Sequence, residues 1–218
     1  DHFAQRVTIG GLANSIGGTN RFATREADEP YHAGKLGSNS VWYAWRPETN
    51  GIATFKTVGS TFDTLLAAYA GSALGSLTRV ASDEDRGGYL TSVLRFNAVA
   101  ATEYAIVVDG FAGETGDFIL AWELEPGFEL PVITRAPLNR TVMLNQDVAL
   151  SVAATGDGLT YQWKLNGIAL PGATGALLDI RTFSPESVGD YTVGVTNQSG
   201  RGLESLPAVV DLAPVERN

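Results

Sequence analysis

Short runs of alternating apolar and polar residues dominate this chain, and no long segment carries the i, i+3, i+4, i+7 apolar spacing of a helix. The runs recur about every eight to twelve residues and are separated by Gly, Asn, Asp or Pro, the residues that reverse a chain. A period of two with such punctuation confines the fold to an all-β sandwich or barrel. The expected strands are "SVWYAWR" (40–46), "GIATFKT" (51–57), "TLLAAYA" (64–70), "YLTSVLRF" (89–96), "EYAIVVD" (103–109) and "DFILAWEL" (117–124). After them come "DVALSVAAT" (147–155), "LTYQWKL" (159–165), "ALLDI" (176–180) and "DYTVGVTN" (190–197). Between the two groups "EPGFELP" (125–131) is punctuated by Pro and Gly and is the best boundary. The expected organisation is a first domain over residues 1–125, a linker at 126–130 and a second domain over 131–218. The two halves share no repeat, so they are two different β-sandwiches in tandem.

Charge and residue usage exclude several functions. Acids outnumber bases by 24 to 15, the net charge is −9, and both halves are acidic. Neither half offers a cationic platform, so nucleic acid is not an expected partner. There is no cysteine, which removes disulfides, thiolate metal sites and cysteine nucleophiles together. No apolar run is long enough to cross a membrane as a helix. The chain opens on Asp1 rather than Met, the expectation for a trimmed piece of a longer protein.

Alternation also assigns faces. Val41, Tyr43 and Trp45 share one side of their strand and point to the core; Trp42, Ala44 and Arg46 share the other. Leu90, Ser92, Leu94 and Phe96 are expected inside, with Tyr89, Thr91, Val93 and Arg95 outside. Tyr104, Ile106 and Val108 point in, as do Phe118, Leu120, Trp122 and Leu124. About eight or nine strands in the first half bury enough apolar surface for one sandwich core.

"LTYQWKLNGIALPGAT" followed by "SVGDYTVGVTN" resembles a bacterial immunoglobulin-like domain over residues 130–213. Trp163 occupies the place of the buried strand-C tryptophan, and Tyr191 that of the tyrosine corner. Val152 and Val193 stand at the two core-cysteine positions. The resemblance implies a spacer or interaction module.

The stretches "SVWYAWRPETNGIATFKTVGSTFDTLLAAYAG", "FNAVAATEYAIVVDGFAGETGDFIL" and "ADEPYHAG" resemble bacterial pre-peptidase C-terminal domains, over residues 1–124. That family implies a jelly-roll-like β-sandwich appended to a secreted enzyme, non-catalytic, targeting a substrate or stabilising its parent. It also implies calcium in some members. Only Asp1 remains of the N-terminal acidic segment those sites draw on, and Asn39 and Val41 stand where an acidic pair precedes the central aromatic strand.

"ASDEDRGGYLTS" (81–92) is the densest charge cluster in the chain. Its D-x-D-x-G order resembles half a calcium loop, in which alternate carboxylates face one cation. Asp83 and Asp85 are the candidate ligands, with Asp63 supplied from another strand. The competing reading is a solvated turn, because Asp and Gly are favoured turn formers. For a polysaccharide, exposed rings beside planar hydrogen-bonding groups are needed. Tyr89, Arg86 and Arg95 form one such candidate set; Trp42, Tyr31 and His32 form another. Catalysis has little support, with two histidines and no G-x-S-x-G elbow. The reading is a secreted or cell-surface fragment with no catalysis of its own, attached to the catalytic domain of its parent chain. Its expected partner is an extracellular polysaccharide or other matrix polymer, with the acidic loop a solvated rim beside the ligand face and calcium an optional rather than obligatory cofactor there. The alternative is a structural spacer or adhesion segment, or a module that binds a collagen-like protein.

Overall fold

The computed structural model describes residues 2–214; Asp1 and residues 215–218 lie outside the described residues. The chain divides into two compact units, one ending at Phe128 and one beginning at Glu129. Both are all-β.

The first unit contains β1 (Val7–Ile9), β2 (Ala13–Thr19), β3 (Val41–Trp45), β4 (Gly51–Lys56), β5 (Thr64–Ala70), β6 (Thr78–Asp83), β7 (Val93–Ala98), β8 (Tyr104–Gly110) and β9 (Asp117–Pro126). They form a five-stranded sheet, β1-β3-β8-β5-β6, and a four-stranded sheet, β2-β9-β4-β7. The chain crosses repeatedly from one sheet to the other, so the core closes only when distant segments meet. Between the sheets lie Tyr43, Trp45, Phe55, Leu66, Phe96, Ile106, Phe118 and Trp122, on the faces that alternation assigns to the interior. The Phe55 and Phe96 rings stack at 6.2 Å, and Trp45 meets Phe55 edge-on at 5.2 Å. Each such ring removes about 150–250 Å² from water, worth several kcal/mol at about 25 cal/mol per Å².

The other side of the five-stranded sheet is also closed. Trp42, Ala67, Tyr69, Ala105 and Val107 pack there with Phe3 into a second apolar cluster. Phe3 sits edge-on to Trp42 at 5.2 Å. This corrects the placement of Trp42 on an open face: it is only 1% exposed. The runs "VWYAW", "TLLAAYA" and "YAIVV" are apolar on both parities, the pattern of strands buried on both faces.

The second unit contains β10 (Val132–Arg135), β11 (Arg140–Val142), β12 (Val148–Ser151), β13 (Ala153–Thr155), β14 (Thr160–Leu165), β15 (Ile168–Ala169), β16 (Leu177–Ile180), β17 (Gly189–Thr196), β18 (Gly202–Glu204) and β19 (Ala208–Leu212). One sheet runs β11-β19-β17-β14-β15, with β18 also paired to β17; β12–β16 and β10–β13 form separate pairs. Trp163 is fully buried, lies opposite Val193 in the β14–β17 register, and donates its indole N–H to the Gly175 carbonyl at 2.9 Å. Val152 and Val193 share its cluster. The Tyr191 hydroxyl donates to the Ser187 carbonyl at 2.7 Å, closing the tyrosine corner. These contacts define an immunoglobulin-like β-sandwich. The single strand expected over 147–155 is broken at Val152, whose N–H bonds the Ala176 carbonyl, while β12 pairs with β16 and β13 with β10. The chain changes partners there while the Val152 side chain stays inside.

With no disulfide, the second unit depends on this packing. Trp163→Ala is expected to cost about 3–5 kcal/mol. Calorimetry should show two transitions in the parent chain and loss of only one in the variant. An unchanged trace would show that Trp163 carries no stability.

Candidate functional site

The long segment between β2 and β3 is held against the five-stranded sheet by buried polar groups. His32, on the short 3-10 turn His32–Gly34, and Glu29 are both almost fully buried. The His32 Nε2 lies 2.8 Å from Glu29 Oε1, and its Nδ1 lies 2.9 Å from the Tyr69 hydroxyl on β5. The imidazole bridges the two, donating through Nε2 to Glu29 and meeting the Tyr69 hydroxyl at Nδ1, an assignment made from the network. Glu29 also accepts the Glu26 N–H at 2.8 Å. Burial works against the Glu29 charge, but the hydrogen bonds from His32, Ser40 and the Glu26 backbone outweigh it and hold the carboxyl below its usual range. Burial pushes the Tyr69 hydroxyl up to about 12. His32 lies edge-on to Trp42 at 5.3 Å, so the polar tether also roofs the indole.

A second tether is Asp109, at the end of β8. Its Oδ1 accepts the N–H groups of Asn39 at 2.9 Å and Gly110 at 2.7 Å. Burial raises its pKa, opposed chiefly by the Asn39 hydrogen bond. A Cβ on Gly37 would lie 1.9 Å from Asp109 Oδ2, so only glycine fits where this segment crosses the carboxylate. Glu29, His32, Tyr69 and Asp109 thus do structural work. Both His32 nitrogens are engaged, which leaves neither facing a substrate.

The acidic loop is built around Asp83. That carboxylate is buried, and its Oδ2 accepts the N–H groups of Arg86 at 2.9 Å and Val93 at 2.8 Å. The Arg86 guanidinium lies 3.6 Å from Oδ1. Burial raises the Asp83 pKa despite these bonds. Asp83 is therefore the cap of its own turn. Asp63 sits within the field of Asp85, Glu114 and Glu84; burial first, and these charges next, raise its pKa, while Lys35 lowers it. Lys35 pairs with Glu84 at 3.0 Å. Among the described residues no group of three or more His, Cys, Asp or Glu side chains is placed to hold a metal ion. Calcium takes about six to eight oxygens, and Asp83 already spends Oδ2 on two backbone N–H groups.

The strand expected from residue 89 begins at Val93 instead. Gly88 and Leu90 have φ of 101° and 61°, and the Gly87 N–H reaches the Thr91 carbonyl at 2.9 Å. These left-handed residues turn the chain, so Leu90 and Thr91 do not alternate as assigned. Tyr89 projects from the tip, 91% exposed, with the exposed Arg86 three residues before it. Arg95 lies on the solvent face of β7 and pairs with Glu125 at 3.2 Å, so it is not in one strand row with Tyr89. Tyr31 is exposed under the Arg25 guanidinium, 4.5 Å from its ring centre. His32, next to it in sequence, points inward, which corrects the pairing of the two as one binding set.

Sequence reasoning missed the Glu29–Tyr69 tether and the 96% exposed Phe22. The i, i+3 spacing of Glu29 and His32 was the available signal for the first. Depressions at Thr54–Trp122, Arg135–Ser151 and Asp147–Arg181 hold about 60, 120 and 210 Å³. All three are smaller than the about 300 Å³ at which small-ligand pockets begin.

No protein-family model matches the chain. Over 123 residues it is 28% identical to the muscle M-line assembly protein unc-89 of Caenorhabditis elegans, covering 51% of this chain and 2% of that protein. Among solved structures, the first domain of Duf (Kirre) is 17% identical at a TM-score of 0.35, over 39% of this chain and 99% of that one. The two-domain DIP-gamma structure is 12% identical at 0.36, over 77% and 91%. The four-domain Dscam1 isoform 1.9 structure is 16% identical at 0.34, over 96% and 44%. No helix among the described residues is long and apolar enough to cross a membrane.

The tethers set the acid response. Asp63, Asp83 and Asp109 have raised pKa values, so the folded state takes their protons before the unfolded state does; stability rises as pH falls toward the usual carboxylate range. Glu29 is lowered, so its contribution is present above the ordinary value of about 4.3 and is lost as pH falls through the folded value. Glu29→Gln should lower the melting temperature of the first unit at neutral pH and narrow the gap to the parent in strong acid. An equal deficit at every pH would refute the tether.

Proposed function

We propose that the chain is a non-catalytic segment of a secreted or cell-surface protein, acting as a spacer and as an adhesion-type surface for other proteins. The observation that carries this reading is the fate of the reactive groups in the first unit. Its buried histidine, the Trp42 indole and the Glu29 and Asp109 carboxylates are used up in fastening a loop. What faces solvent is strand edges, turns and the outer face of the four-stranded sheet, a surface suited to broad contacts. The partial likeness to a protein named for M-line assembly supports a structural role. The immunoglobulin-like unit fits the spacer part, since polar residues such as Lys164 and Thr192 bond Glu204 within the unit itself. Beads coated with the chain are expected to bind cells and to lose that binding when surface proteins are digested. Binding that survives protease and disappears after glycosidase treatment refutes the reading.

One observation favours a second reading, a pre-peptidase C-terminal-like accessory module of a secreted bacterial enzyme that binds polysaccharide, with calcium at the acidic loop. Tyr89 presents an open ring at the loop tip, with the Arg86 guanidinium in the same turn. Stacking of a sugar on that ring would be worth about 1 kcal/mol or more. On the adhesion reading, parent and Tyr89→Ala run alike on polysaccharide affinity gels. Their melting temperatures are also the same in calcium and in chelator. Retention of the parent that Tyr89→Ala abolishes establishes the second reading in its place.

A further inference from the structure

Four strands lie at sheet edges in the first unit: β1 and β6 in one sheet, β2 and β7 in the other. An edge exposes unpaired N–H and C=O groups, and proteins usually protect it by shortness, charge, proline or a bulge. β1 has three residues. β6 has a register shift opposite Ala68–Tyr69 and carries Arg79 and Asp83. β7 carries Arg95. β2 has no such device. It is seven residues long, "ANSIGGT", without charge or proline, and its register against β9 runs unbroken from Ala13 to Thr19.

The register also shows which groups are open. The Leu124 N–H bonds the Leu12 carbonyl, and the Asn20 N–H bonds the Gly116 carbonyl, so even-numbered residues face β9. By alternation, the backbones of Ala13, Ser15, Gly17 and Thr19 face away from the sheet. The Ser15 N–H is covered only by its neighbour's side chain, Asn14 Oδ1 at 2.8 Å. Among the described residues no other strand flanks this side.

We propose that β2 pairs antiparallel with β2 of a second copy of this chain, about a two-fold axis at Ile16. An extended backbone is the one partner that satisfies a row of alternating donors and acceptors. The strand is suited to itself. Ile16 is its central residue and its one large apolar side chain, already packed against the core. On the axis it meets its own copy as a non-hydrogen-bonded pair, where side chains approach most closely. Ser15 then faces Gly17 and Ala13 faces Thr19, all small. Charge favours the same choice. Two copies of net charge −9 repel, and β2 is a neutral strip where they can meet. The joined strands turn each four-stranded sheet into half of one continuous sheet. The pairing concerns the first unit alone and holds whether or not the chain serves in adhesion.

Sedimentation of the full chain should show a dimer populated between about 10 μM and 1 mM, and more of it at high salt, which screens the repulsion. Ser15→Lys with Gly17→Lys places like charges across the axis and should leave a monomer. Nothing lies within 4 Å of a Cβ at Gly17, so the melting temperature should be unchanged. The chain has no cysteine, so Ile16→Cys should form a dimer-linking disulfide on oxidation, while Ala13→Cys, which faces Thr19, should not. A monomer at every concentration overturns the proposal. So does a dimer untouched by the lysine pair, or equal cross-linking by the two cysteine variants.

Discussion

Burial of the five-stranded sheet on both faces is the constraint that shapes the first unit. A sandwich needs only its inner faces dry. Here the outer face carries Trp42, Ala67, Tyr69, Ala105 and Val107, and something must cover them. The cover is chain without regular strands: Phe3, the segment before β3, and Leu74 and Leu77 after β5. Such a cover cannot hold itself by ladder hydrogen bonds. It is fastened by side chains instead, with Glu29 and His32 reaching Tyr69 and Asp109 reaching Asn39. Buried carboxylates and an imidazole are costly unless paired, so these groups form connected sets. The same side chains that look reactive in the sequence are the ones most committed to the fold.

This explains which parts of the chain could be read in advance. The second unit was legible because its signature residues are strand residues: Trp163 and Val193 meet in register, and Tyr191 closes on a turn four residues away. The inter-sheet core of the first unit was legible for the same reason. Trp42 was misassigned because Arg46, at the end of its strand, suggested an open face, although the neighbouring strands are apolar on both parities. His32 was not legible, since loop conformation decides its direction and only its spacing from Glu29 hinted at a pair. Tyr89 was correctly expected in solvent for an incorrect reason. The left-handed Leu90 puts it at a turn tip, where alternation says nothing.

The acidic loop shows how charge density misleads. Three adjacent acids suggest a cation, yet they have three separate environments. Asp83 is turned inward as a backbone cap, Glu84 pairs with Lys35, and Asp85 is exposed near Asp63. Adjacent residues in an irregular turn point in different directions, so a sequence cluster need not be a spatial one.

The valine pair beside Trp163 has a mechanical consequence. A covalent link between positions 152 and 193 would fix the length of chain that pulling can release from the second unit. With valines there, the stretch between them is free to extend once the core yields, at roughly 3.4 Å per residue or roughly 140 Å in all. Under tension such a unit behaves as a reserve of slack, and it refolds without waiting for an oxidant.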